Sequence, residues 1–116
     1  MITYEQAKTL AKDQVVYTIK EKKIKEARIT VLTAFEASHR PPYAKASCRI
    51  CYKLKSGVHE YVDWASESYP AITLYLTKGE AAEALLSDLE IRRQELEDQL
   101  TRLEIQINAV KGINHD

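Results

Sequence analysis

The stretch Thr77-KGEAAEALLSDLEIRRQELEDQLTRLEIQINAVK-Gly112 contains no proline, and its only glycines are Gly79 and Gly112. Leu86, Leu89, Leu96, Leu100, Leu103, Ile107 and Val110 recur in it at steps of three and four, and Arg93 fills the one gap. That spacing is an a/d heptad seam of about four heptads, the pattern of a helix that requires a partner helix. Thr77 and Glu80 form a capping box at its start, while Lys111 and Gly112 read as its C-terminal cap. With Leu86 at position a, the a positions are Leu86, Arg93, Leu100 and Ile107, and the d positions are Leu89, Leu96, Leu103 and Val110. Glu90, Glu97, Glu104 and Lys111 occupy e, and Leu85, Arg92, Gln99 and Gln106 occupy g. Ile91 and Ile105 fall at f, outside the seam.

A straight helix over 78–111 would span about 50 Å at 1.5 Å per residue. The preceding 77 residues suffice for a body only about 25–30 Å across. A leucine seam left in water is a patch that soluble monomers rarely carry. The expectation is therefore self-association, as a homodimer or higher oligomer, through Leu86, Leu89, Arg93, Leu96, Leu100, Leu103, Ile107 and Val110. Arg93 is the polar interruption that sets register. The competing expectation is a monomer whose helix folds back on its own sheet.

Upstream, Thr3 and Gln6 form a first capping box, with Ile2 as its hydrophobic staple. Ala7, Leu10, Ala11, Val15 and Ile19 then share a helical face, which predicts one amphipathic helix over residues 4 to about 24. Ile29, Val31, Thr33 and Phe35 alternate with more polar positions and predict a strand over 27–37. Ser38-His-Arg-Pro-Pro-Tyr43 is a loop, held extended by its prolines.

Residues 45–54 and 58–66 predict a hairpin around Lys55-Ser56-Gly57. A three-residue loop sets Leu54, Ile50 and Cys48 opposite Val58, Val62 and Trp64 on the core face, with Arg49 opposite Asp63 behind. A two-residue loop would set Ile50 against Asp63, so the three-residue loop is preferred. A fourth strand over 71–76 would turn Ile72, Leu74 and Leu76 inwards.

The predicted fold is α+β: an N-terminal helix on a four-stranded antiparallel meander (residues 1–77), then a long C-terminal coiled-coil helix with a short tail (78–116). The order α-β-β-β-β-α resembles that of cystatin-like α+β folds in topology, and no motif extends the likeness to function.

The 116 residues are 45% hydrophobic and 29% charged, enough for one modest core and too apolar for disorder. Lys plus Arg and Asp plus Glu both number 17, so no global field draws in nucleic acid or an anionic membrane. The absence of an apolar leader or membrane-length run, with two cysteines, gives the expectation of a cytoplasmic protein without a membrane partner.

Candidate chemistry is sparse. Cys48-Arg-Ile-Cys51 has C-x-x-C spacing but no second ligand pair, and on a strand the two side chains point to opposite faces. A Cys51–His59 nucleophile pair would lack an orienting group, and His39 and His115 lie elsewhere. No metal, cofactor or catalytic residue is expected. Lys20, Lys22, Lys23, Lys25 and Arg28 form one basic cluster, and Arg40, Lys45, Arg49, Lys53 and Lys55 a second. With Tyr43, Tyr52 and Tyr61 nearby they allow a nucleic-acid surface, but interleaved acids argue for solvated faces.

Seven tyrosines stand against one Phe and one Trp, and tyrosine favours protein interfaces. His39, Arg40, Tyr43, Tyr61 and Tyr69 are the expected partner or ligand contacts. The functional expectation is a non-enzymatic adaptor, inhibitor or regulator. Its sheet domain would bind a protein or small ligand, with nucleic-acid binding the alternative and a small enzyme the lesser one.

Overall fold

The structure, a computed structural model, describes residues 1–41 and 44–113. It is α+β. The elements are α1 (Tyr4–Ala7), β1 (Val15–Lys20), β2 (Lys23–Phe35), β3 (Ser47–Leu54), β4 (Glu60–Ser66), β5 (Leu74–Tyr75) and α2 (Lys78–Ile113). Five antiparallel strands form one sheet in the order β4-β3-β2-β1-β5, one strand more than expected. β1 to β4 run as a meander, and β5 returns to the free edge of β1.

The extra strand comes from the predicted first helix. The capping box forms: the Gln6 amide donates to Thr3 Oγ1 at 3.2 Å, and the Thr3 amide donates to Gln6 Oε1 at 3.0 Å. The helix nevertheless ends at Ala7 after one turn. Val15-Val-Tyr-Thr-Ile19 is β-branched and aromatic, which suits a pleated surface better than a helix. As β1 it buries Val16 and Thr18 against the core. Glu21 and Lys22, both at positive φ (52° and 62°), turn the chain straight back into β2. That twist matches a two-residue hairpin, although neither residue is one of the glycines or asparagines that usually supply it. The long first helix of a cystatin-like arrangement is thus replaced by a hairpin.

β2 carries a bulge between Ile29 and Val31. One extra residue reverses the inward and outward alternation. Ile29 is buried, whereas Val31 and Phe35, expected on the same face, emerge on the other side and are exposed. Thr30, the extra residue, donates through Oγ1 to Glu60 Oε2 at 3.1 Å.

The β3–β4 register is one residue away from the expected one. Cys48 pairs with Ala65, Arg49 with Trp64, Ile50 with Asp63 and Tyr52 with Tyr61. Tyr61, Asp63 and Ala65 therefore share the core-side face of β4, and Val62 and Trp64 lie on the outer face. A carboxylate on the core side is tolerated because it has work there. Asp63 Oδ2 accepts from the Thr73 amide at 2.9 Å and from Thr73 Oγ1 at 2.5 Å. Thr73 immediately precedes β5, so this contact ties the two edge strands of the curled sheet together where no ladder does. The Thr73 carbonyl also accepts from Thr18 Oγ1 at 2.7 Å, and Tyr52 Oη lies 3.4 Å from Thr73 Oγ1.

The core on the concave face is built from Val16, Ile29, Ile50, Tyr52 and Leu74, closed by Ile2, Ala7 and Leu10 from the N-terminal segment. Ile2 and Ala71 exchange both backbone hydrogen bonds, at 3.1 and 2.7 Å. The predicted fourth strand shrinks to β5: Leu74 is buried and Leu76 packs on the core, but Ile72 is exposed.

α2 starts as predicted, with the Glu80 amide donating to Thr77 Oγ1 at 3.1 Å. Gly112 is not its cap, since it is helical and no glycine has positive φ among the described residues. The chain divides into two compact units, Met1–Glu83 and Ala84–Asp116. The first turn of α2, with buried Ala81, thus belongs with the sheet. No helix among the described residues is long and apolar enough to cross a membrane.

Candidate functional site

Among the described residues, exposed apolar side chains gather on two surfaces, with Met1, Val58 and Ile72 exposed elsewhere. The first is the α2 seam. Leu86, Leu89, Leu96, Leu100, Leu103, Ile107 and Val110 are each between 41% and 62% exposed, and every residue from Leu86 to Ile113 is exposed. Local polar contacts hold this helix only lightly. Arg93 Nε lies 3.9 Å from Glu97 Oε1, and Gln94 Nε2 donates to Asp98 Oδ1 at 3.1 Å. Such exposed pairs contribute a few tenths of a kcal/mol each. Ile91 and Ile105 are exposed as well.

The second surface surrounds the turn between β4 and β5. Ser66 organises it: its Oγ accepts from the Ser68 and Tyr69 amides at 3.2 and 3.3 Å, and its amide donates to the Tyr69 carbonyl at 2.9 Å. On this braced turn Tyr69 stands as an exposed ridge between two open clefts. One, of about 300 Å³, runs past Thr3, Tyr4, Glu5 and Pro70. The other, of about 360 Å³, runs past Ala44, Lys45, Ser47 and Trp64. This second cleft leads onto the outer face of the sheet. There Phe35 and Trp64 pack at 5.5 Å between ring centroids, 43% and 42% exposed, beside exposed Val31 and Val62. Arg49, opposite Trp64 in the register, has its Nε buried without a hydrogen-bond partner among the described residues.

The five residues expected to make contacts are not one cluster. His39 and Arg40 are exposed in the β2–β3 connection, which the Ser38 amide pins to the Ala44 carbonyl at 2.8 Å. Tyr43 lies outside the described residues. Tyr69 stands on its ridge. Tyr61 sits on the concave side instead, stacked on Tyr52 at 5.5 Å with Lys20 Nζ 4.3 Å from its ring centroid. The one-residue register difference moved it there. The same shift brought Trp64 out, and the β2 bulge did so for Phe35, so sequence reasoning missed this aromatic pair. The two-residue-loop register would have put Trp64 opposite Arg49 and exposed it to view.

Cys48 and Cys51 are free thiols, both buried. Their alternation holds: Cys48 belongs to the core cluster, and Cys51 faces the outer side opposite Val62. Burial pushes the Cys48 thiol above its ordinary pKa, away from the reactive thiolate. His59 is exposed ahead of β4, and His115 lies outside the described residues. No group of three or more His, Cys, Asp or Glu able to hold a metal occurs among the described residues.

Comparison with known proteins gives no match: no family model, no curated protein and no solved structure matches the chain.

Proposed function

We propose that this chain is a non-enzymatic binding protein that self-associates through α2 and engages a protein or small ligand through its sheet domain. The observation that carries the reading is the seam: seven apolar a/d residues from Leu86 to Val110, all exposed in the single chain. Most helical stability in proteins comes from packing an apolar face, and the a/d residues of this one are each at least 41% exposed. A second helix offers the same heptad repeat back to it.

For the sheet domain, support comes from Tyr69. Its turn is braced by three hydrogen bonds through Ser66, so the backbone that carries this exposed aromatic ring is already ordered. The flanking clefts are open, which suits a protein segment such as an inhibited or adapted partner. Nucleic-acid binding is less favoured. Tyr52 is buried, and Tyr61 is stacked beneath Lys20, so neither ring is free for a base.

Sedimentation equilibrium of the full chain at micromolar concentration tests the assembly. An oligomer that dissociates on Leu96→Glu or Leu100→Glu, with the sheet signal intact, is expected. A monomeric wild-type chain sinks the reading.

A further inference from the structure

We infer that the occupant of the α2 seam is a second copy of the same helix, parallel and in register in a two-stranded coil. Two sheet domains then join the coil at one end, and the protein binds bivalently. This rests on the self-association reading and adds orientation, strand number and valency to it.

Orientation follows from the flanking positions. In a parallel pair, each g residue meets the e residue five places on in the second copy. Arg92 then meets Glu97, while Leu85–Glu90, Gln99–Glu104 and Gln106–Lys111 are neutral. No like charges meet. In a fully overlapped antiparallel pair, with Leu86 across from Val110, e residues meet e residues. Glu97 then faces Glu97 of the other copy, and Glu90 faces Glu104 twice over. Each contact is weak, but all act in the same direction.

Strand number follows from Arg93. In a two-stranded coil, an a-position arginine packs its stem across the seam and brings its guanidinium out to water. The Arg93 guanidinium already lies towards Glu97, one turn on and on the e flank, at 3.9 Å. Three or four helices would enclose that layer and strip the charge of solvent. Ile107 at a, between Leu103 and Val110 at d, also favours two strands. Ile91 and Ile105 stand two heptads apart, too sparse for a second seam.

A bivalent protein gains from two sheet domains tethered at one end. A partner carrying two copies of the recognised feature is held with an effective concentration set by the tether.

The test uses the full chain. Val110→Cys, a d position far along the coil from the sheet domain, is equilibrated in a glutathione buffer, alone and mixed with Leu86→Cys. The native thiols are buried in the sheet. A near-complete Val110→Cys homodisulfide is expected, with little of the mixed species. A second variant reads the sign of the charges: Glu97→Gln should weaken the dimer about three- to tenfold, since it removes the Arg92 contact. Mixed disulfide predominating, absence of the homodisulfide in a dimer, or tighter association of Glu97→Gln overturns the parallel arrangement alone. A trimer or tetramer by sedimentation overturns the strand number. A monomer overturns the self-association reading beneath both.

Discussion

Asp63 on β4 and Thr73 ahead of β5 join the two ends of the sheet, through the Thr73 amide at 2.9 Å and its hydroxyl at 2.5 Å from Asp63 Oδ2. The strands on either side are four places apart in the sheet order, so these bonds hold its curl. Hydrogen bonds to a charged group contribute about 1.5–3 kcal/mol, with the lower end apt for a half-exposed site. Asp63→Ala should lower unfolding free energy by about 2 kcal/mol in urea titration. Thr73→Val keeps the backbone donor and should cost about half as much. Equal, negligible effects would mean the sheet curls without this clasp.

The turn between β1 and β2 is strained. Glu21 and Lys22 both occupy the left-handed region, at roughly 1 kcal/mol each for a side chain with Cβ. Glu21→Asn with Lys22→Gly fits a type I′ turn and should stabilise the chain by about 0.5–1 kcal/mol. A rise in the urea midpoint without a change in m is the expected reading.

Cys48 gives a pH dependence with a definite sign. Burial raises its folded-state pKa, so the native state retains a proton that the unfolded chain releases. The contribution to stability is present below the unfolded thiol pKa and falls away as pH rises through the alkaline thiol range. Cys48→Ala should flatten the alkaline loss of stability seen in wild type, at the expense of a small cavity. In native protein at neutral pH, Cys48 should react with a thiol reagent only at the rate of opening, and within seconds in denaturant.

The seam should make helix content depend on concentration. Association stabilises by mass action, so dilution from 100 μM to 1 μM should lower the melting temperature read at 222 nm. Leu100→Glu should remove this dependence and much of the helical signal, because a lone helix of this kind is marginal in water. A melting temperature independent of concentration would argue that α2 stands without a partner.

Much of the chain could be read locally. α2 was legible because its period, the lack of internal breakers and the Thr77 cap agree, and because a long helix closes its own hydrogen bonds. The β3–β4 hairpin was legible from alternation around Gly57. The core-facing residues Cys48, Ile50 and Leu54 were also correct, since period two leaves β3 no other way to bury them. Of the residues expected as contacts, His39, Arg40 and Tyr69 are exposed, while Tyr61 is half-buried on the concave side.

Everything that turned on one residue of phase was decided by tertiary structure. Val15 to Ile19 fits a helical stripe and a strand equally well by spacing, and pairing with β2 and β5 made it a strand. The extra residue at Thr30 sent Phe35 outwards. Asp63 set the β4 register by facing Thr73, ten residues on, and that exposed Trp64. The sequence by itself determined α2, the β3–β4 hairpin and where the seam lies, because those depend on near neighbours. Which face each strand buries depended on partners far along the chain, and only the assembled sheet supplied them.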